Sequence, residues 1–113
     1  MMLSKAVEAM SALAQAHRLA VFRLLFRAGP DGLPAGEIAR EVGVLPNTLS
    51  THLTILGHAG LIQSRREGRS IVYSADYDGM RDLLGFLVAD CCGGRPEICA
   101  PLVEAALGCG QTT

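Results

Sequence analysis

Two short helical patterns separated by a tight turn constrain the fold of this sequence more than any other feature. The first pattern spans residues 33–42, where apolar residues recur at helical spacing, and Gly43 follows as a stop signal. The second begins at Pro46, since proline is tolerated in the first turn of a helix but not in its interior. Its apolar face consists of Leu49, Leu53 and Leu56. The stretch from Leu33 to Leu61 therefore predicts a helix-turn-helix.

The opposite face of the second helix carries short polar side chains. At 100° per residue this face contains Asn47, Thr51, Thr54 and His58, with Thr48 and Ser50 beside them. Asn, Thr and Ser form helices less readily than the Lys and Glu that usually cover exposed faces. Their short donors and acceptors suit base edges and phosphates in a major groove. We interpret this as a DNA recognition helix; taken alone, the pattern also fits a merely polar surface.

A β-hairpin with a basic tip is predicted directly after this helix. The runs 61–66 and 69–74 are rich in β-branched residues and are joined at Glu67-Gly68, where glycine supplies the positive φ of a tight turn. The arginines around the tip are Arg65, Arg66 and Arg69. They would meet the phosphate backbone or enter a minor groove. The combination predicts a winged helix-turn-helix, mainly α with a β-hairpin wing.

Composition and charge fit one DNA-binding domain. A chain of 113 residues with 50% hydrophobic residues predicts a single core. The net charge of −1 hides an asymmetry, because residues 1–75 hold eight Lys and Arg against five Asp and Glu, whereas residues 76–113 hold two against six. The positive field therefore lies with the helix-turn-helix.

Several functional classes are disfavoured. The longest apolar run, 83–89, is far shorter than the roughly 20 residues that span a bilayer, and no signal peptide pattern opens the chain. We therefore expect a cytoplasmic protein without a membrane partner, in which cysteines stay reduced. An enzyme is not expected, because no nucleophile has a nearby histidine in this reading and no phosphate-cradling glycine loop appears.

An ordered set of motifs resembles the ArsR/SmtB family of metalloregulatory repressors. The motifs are Ala16–Leu25, Leu49–Leu53, Ala59–Ile62, Arg66–Arg69 and Tyr73, within a similarity that runs from about Leu3 to Cys92. The resemblance implies a homodimer joined by its first and last helices, bound to double-stranded operator DNA and released by an inducer. It also implies that Ser50 and His52 contact DNA. The sequence departs from the family at Thr51, where a basic residue is frequent, and at Pro46-Asn47, so no operator sequence follows.

Three of the four cysteines cluster after the last predicted helix, 78–90, as Cys91, Cys92 and Cys99. Neighbouring residues of a continuous helix point about 100° apart, so the Cys pair can share one ion only if the helix ends there, as Gly93-Gly94 and Pro96 predict. Three soft thiolates, with no histidine in residues 76–113, match As(III) or Sb(III), whereas zinc usually takes four ligands.

This cluster also resembles a subgroup of arsenic repressors with a C-terminal Cys-Cys pair and a later Cys. We therefore predict a winged helix DNA-binding and dimerisation domain over residues 1–92 and a tail over 93–113 that completes the metalloid site. Cys109 is not needed for it, and an organoarsenical inducer would require only Cys91 and Cys92. Three alternatives stay open: a thiol redox repressor, a winged-helix interaction module without its own operator, and cysteines that serve as small buried apolar residues.

Overall fold

The computed structural model describes residues 1–89 and, beyond them, Glu97, Ala100, Pro101 and Ala105. Its elements follow in the order α1 (Leu3–Leu13), α2 (Ala16–Ala28), β1 (Leu33–Pro34), α3 (Ala35–Val42), α4 (Pro46–His58), β2 (Ile62–Glu67), β3 (Ser70–Ala75) and α5 (Tyr77–Ala89). This arrangement confirms the predicted winged helix-turn-helix, with α3 and α4 as the helix pair and β2–β3 as the wing. The predicted boundary at residue 92 lies outside the described residues.

The helix-turn-helix ends and begins where its glycine and proline require. Gly43 follows α3 in the left-handed conformation, with φ 78°, and its N–H donates to the Ala39 carbonyl. Pro46 occupies the first turn of α4. The leucine face of α4 is buried as predicted, since Leu49, Leu53 and Leu56 are at most 7% exposed. The core thereby fixes which face of α4 turns outward.

The wing is a tight antiparallel hairpin. Strands β2 and β3 pair from Ile62 with Ala75 to Glu67 with Ser70, which leaves Gly68 and Arg69 as the loop. Gly68 has φ 62°, and no residue other than glycine has positive φ in the described part of the chain. A positive φ at the first loop residue alone is the pattern of a type II′ turn, whose twist suits a hairpin.

Strand β1 was not predicted. Leu33 and Pro34, which we expected at the entry of α3, pair instead with Tyr73 and Val72 of β3, so the sheet order is β1-β3-β2. Helix α3 cannot start earlier, because a residue before proline avoids the α region and Pro34 itself is extended with ψ 156°. Helix α3 therefore begins only at Ala35.

The turn before β1 presses closely against the sheet. Gly32 has φ 70°, and a Cβ at this position would overlap the Tyr73 carbonyl and crowd the Val72 side chain. Only glycine therefore fits between the end of α2 and strand β3. This contact holds the α2–β1 turn, residues 29–32, against the base of the wing.

The outer helices bury one face and expose another. Helix α1 packs inward through the small residues Ala6, Ala9 and Ala12, whereas its larger Val7 and Met10 are 53% and 40% exposed. Helix α5 buries Leu83 but leaves Leu84 and Leu87 51% and 39% exposed. Helices α1 and α5 contact each other.

The start of α5 is fixed by hydrogen bonds. The Asp76 N–H donates to the Leu61 carbonyl at 2.8 Å, and the Asp76 carboxylate accepts from the Gly79 N–H at 3.0 Å. This carboxylate caps the helix. None of the helices in the described part of the chain combines the length and the apolar character that a membrane span requires.

Candidate nucleic-acid interface

The outer face of α4 presents the predicted polar residues to solvent. Its exposed members are Asn47, Thr48, Ser50, Thr51 and Thr54. None of them is needed by the core, which takes the leucine face of the same helix. The structure therefore brings five of the six predicted contact residues of α4 onto one accessible helical surface.

Two hydroxyls on this face have defined orientations. The Thr54 hydroxyl donates to the Ser50 carbonyl at 3.0 Å, and the Thr51 hydroxyl lies 3.5 Å from the Asn47 carbonyl. A threonine hydroxyl that donates to its own helix keeps its lone pairs free to accept. These two oxygens are thereby suited to accept from amino groups, which adenine N6 and cytosine N4 supply in the major groove.

His52, the sixth predicted contact on α4, does not lie on this face. It is 8% exposed, and its ring packs against His17, with the ring centroids 5.8 Å apart. Because residue 52 follows Thr51 by 100°, its side chain turns toward the α2 side of the helix rather than outward. The resemblance implied that His52 contacts DNA. Its burial in the structure argues against that contact.

The buried imidazole has an unusual environment. Neither Nδ1 nor Nε2 of His52 has a hydrogen-bond partner within the described residues. Burial lowers the pKa of His52 below its ordinary value of 6.5, and the nearby charges of Arg18 and His17 lower this pKa further. The ring is therefore neutral at pH 7 and acts as a packing group between α2 and α4.

Arg18 holds the corner between α1 and α2, next to the buried His52. Its guanidinium Nε donates to the Ala12 carbonyl at 2.7 Å, near the end of α1, and its backbone N–H donates to the Gln15 side chain at 2.8 Å. The first bond satisfies a carbonyl in the last turn of α1, and the second caps α2. The packing of α4 is thus built on a hydrogen-bonded α1–α2 corner.

The three predicted wing arginines have different environments. Arg65 is not free at the tip: its guanidinium donates to the Glu67 carboxylate at 2.6 Å and to the Pro30 and Asp31 carbonyls at 3.0 and 2.5 Å. Arg66 and Arg69 are exposed, and neither has an ion-pair partner among the described residues. These two cations are therefore available to a phosphate backbone.

The register of the hairpin explains this difference. Residues paired across antiparallel strands point to the same face, and successive residues alternate. Arg65 pairs with Val72 and shares the face that meets the α2–β1 turn, whereas Arg66 belongs to the face of Ser64 and Tyr73. Ser64 and Tyr73 line a cleft with Ser50 and Thr54 of α4. Arg66 thus lies on the same side of the wing as α4.

The candidate metalloid ligands Cys91, Cys92 and Cys99 lie outside the described residues. Among the described residues, no group of three His, Cys, Asp or Glu side chains could hold a metal ion. The metalloid site thus stays a prediction from the sequence.

Known proteins resemble this chain over its winged helix. Residues 13–65 match the family described as helix-turn-helix domain. Nodulation protein NolR of Rhizobium meliloti is 32% identical over 69% of this chain and 62% of its own length. The HTH-type transcriptional regulator YgaV of Escherichia coli is 30% identical over 66% of this chain and 75% of its own length. The chain thus spans less than two thirds of NolR but three quarters of YgaV.

A solved structure shows the same architecture. It is the homodimeric winged helix-turn-helix DNA-binding domain of a possible ArsR-family transcriptional regulator from Mycobacterium bovis, with 31% identity and a TM-score of 0.64. The match covers 78% of this chain and 81% of that one. The fold and the outward polar helix define a winged helix-turn-helix protein, and its relatives are transcriptional regulators. The chain belongs to the ArsR-like family of these regulators.

Proposed function

We propose that this protein is a repressor that binds operator DNA as a homodimer and leaves it when As(III) or Sb(III) binds to Cys91, Cys92 and Cys99. The observation that carries the DNA-binding part is the outward face of α4, polar, exposed and flanked by the free arginines of the wing. The metalloid part is supported by the cysteine pattern of the sequence.

The interface has separate parts for base reading and phosphate binding. The oriented hydroxyls of Thr51 and Thr54 offer acceptors to base edges, and the Asn47 amide offers both a donor and an acceptor. Arg66 and Arg69 offer charge to phosphates beside the groove that α4 would occupy. Phosphate contacts position a protein on DNA and base contacts specify the sequence, so both are required of a repressor.

The exposed apolar residues of α1 and α5 support a homodimer. Val7, Met10, Leu84 and Leu87 lie on two helices that contact each other, and each is at least 39% exposed. A second copy that covers these side chains would remove their apolar area from water. Two-fold pairing would also present two α4 helices to successive major grooves, whose separation is about 34 Å along B-DNA.

The position of the thiols in the sequence supports a link between metalloid binding and DNA release. Helix α5 extends to Ala89, and Cys91 follows two residues later. Three thiolates suit a soft trigonal metalloid. A ligand bound next to a helix of the dimer surface would favour one arrangement of the two subunits over another. It would therefore change operator affinity through the spacing of the α4 helices.

Specific DNA binding is the first property to test. The reduced protein is titrated onto a labelled duplex from the region upstream of its own coding sequence, and onto a scrambled duplex of equal length and composition, at physiological salt. The proposal expects at least about a thousandfold preference for the upstream duplex, as is usual for specific regulators. Equal and weak binding to both duplexes would instead favour an interaction module without an operator.

A further inference from the structure

We propose that Arg65 is a positioning residue that holds the wing in its DNA-binding orientation and does not itself bind phosphate. This proposal deepens the proposed function and rests on it for its DNA measurement. Arg65 has the charge and the position in sequence of a backbone contact. Its three hydrogen bonds assign it a different role.

The guanidinium joins parts of the chain that are distant in sequence. It reaches the Pro30 and Asp31 carbonyls, 35 and 34 residues away, and also the Glu67 carboxylate on its own strand. The planar guanidinium presents several donors in a fixed fork, so one arginine can serve three acceptors in different directions. Three of its five N–H donors, one on each nitrogen, are engaged in these bonds, so turning the guanidinium toward a phosphate would break them.

Two of the three acceptors, the Pro30 and Asp31 carbonyls, lie in the α2–β1 turn. Gly32 places this turn against the Tyr73 carbonyl of β3. The turn is also continuous with β1, which pairs with β3. Arg65 therefore connects the outer part of β2 to a turn that is fixed at the base of the sheet.

The two faces of the hairpin separate the roles of its arginines. Arg65 and Glu67 lie on the face that meets the α2–β1 turn, and Arg66 lies on the face shared with Tyr73 and α4. A hairpin with few contacts beyond its base is a mobile element, and ordering it only on binding costs affinity. By ordering the wing in the free protein, Arg65 lets Arg66 and Arg69 meet the backbone without that cost.

The salt dependence of DNA affinity distinguishes positioning from contact. Each phosphate contact contributes about 0.9 to the slope of log K against log salt, hence about 1.8 for a residue present twice in a dimer. Arg65→Ala is expected to weaken operator affinity about fivefold with an unchanged slope. The reason is that this variant loosens the wing of the free protein but removes no contact to a phosphate. Arg66→Ala and Arg69→Ala are expected to reduce the slope. Arg23→Ala, which removes the same charge from an exposed site on α2, serves as the control.

Amide hydrogen exchange of the free protein supplies a readout that needs no DNA. Arg65→Ala should accelerate exchange at residues 64–71 and leave α2 and α4 unchanged, whereas Arg66→Ala should leave the wing protected. Arg65→Lys keeps the charge but not the fork, so it should show faster exchange with the wild-type slope.

Two results would overturn the proposal: a slope reduced in Arg65→Ala as much as in Arg66→Ala, or wild-type exchange in the Arg65→Ala wing. If the wild type shows no specific DNA binding, the proposed function fails. The exchange comparison still decides whether Arg65 orders the wing.

Discussion

The imidazole of His52 on the recognition helix packs against that of His17 on α2, with ring centroids 5.8 Å apart and ring planes inclined by 46°. Both nitrogens of His52 are buried and, in the part of the chain that the structure describes, have no hydrogen-bond partner. A proton on this ring would be a buried charge beside Arg18 and His17, with no hydrogen-bond partner among the described residues. The packing of α4 against α2 therefore requires that His52 be neutral.

Acidification should destabilise the fold through His52. Its pKa is lowered in the folded state, so below the ordinary value of 6.5 the unfolded chain binds a proton that the folded chain does not. The contribution of the neutral His52 to the free energy of unfolding is fully present above pH 6.5 and is lost as the pH falls toward the folded-state pKa. Urea unfolding at pH 7.5 and 5.0 should show this loss, and it should shrink in His52→Gln. His58→Gln, an exposed histidine on the same helix, should retain it; the same pH dependence in His52→Gln and the wild type would refute the assignment.

The groove assignment of α4 is tested at Thr51 and Arg66. Thr51→Ala removes an oriented acceptor and should weaken operator binding by about 1 kcal/mol, with less discrimination between operator variants. Arg66→Ala should weaken binding to all sequences alike, because phosphates carry no sequence information. Anisotropy titrations on operator and mutated duplexes measure both effects, and circular dichroism checks the fold. If both variants bind the operator with wild-type affinity, α4 and the wing are not part of the DNA interface.

The α1–α5 surface is tested by charge insertion. Leu84→Glu places a carboxylate on the 51% exposed face of α5, where a partner subunit would bury it unpaired. Sedimentation should then show monomers at concentrations where the wild type is a dimer, and operator affinity should fall with the loss of the second α4. Ile71→Glu, at a 43% exposed site on the wing, is the matched control and should stay dimeric. A dimeric Leu84→Glu protein would place the subunit interface elsewhere.

Gly32 and Gly57 differ in what a methyl group would meet. Gly32→Ala forces a positive φ on a residue with a side chain and drives its Cβ into the Tyr73 carbonyl, so unfolding should become easier by about 2 kcal/mol or more. Gly57 lies within α4 and a Cβ there would meet open space, so Gly57→Ala should raise the free energy of unfolding by about 0.5–1 kcal/mol. Denaturant unfolding compares the two. If the two variants change the free energy of unfolding equally, the close contact between Gly32 and the Tyr73 carbonyl is absent in solution.

The cysteines are tested by single replacements. Cys91→Ser and Cys92→Ser should bind operator as the wild type does and should no longer respond to arsenite, because a serine hydroxyl is not a soft ligand. Cys109→Ser is the control and should respond normally. Loss of folding in the Cys91 and Cys92 variants would instead identify these residues as core. Release by peroxide without metalloid, reversed by reductant, would identify a redox repressor.

The helix-turn-helix and the wing were predictable because each rests on local signals. The leucine spacing of α4, the stop at Gly43 and the turn at Gly68 act within a few residues, and the structure confirms the elements that they predict. Strand β1 depends on a partner about 40 residues away, so its two residues carry no recognisable pattern of their own.

The positions of individual site residues were less predictable. His52 was assigned to DNA by resemblance, whereas its helical angle next to Leu53 already favoured burial. The alternation along β2 likewise separates Arg65 from Arg66, and applying it would have assigned the two arginines to opposite faces. The acceptors of Arg65 in the α2–β1 turn could not be read from the sequence, since they are brought near only by the packing of that turn on β3.

Metalloid-triggered release from DNA is the central claim, and one titration tests it most directly. Reduced protein bound to its labelled upstream duplex is titrated with arsenite and, in parallel, with zinc, while fluorescence anisotropy is followed. The proposal predicts a fall to the anisotropy of free DNA near one equivalent of arsenite per subunit and no change with zinc. Tight binding that arsenite leaves intact would contradict it.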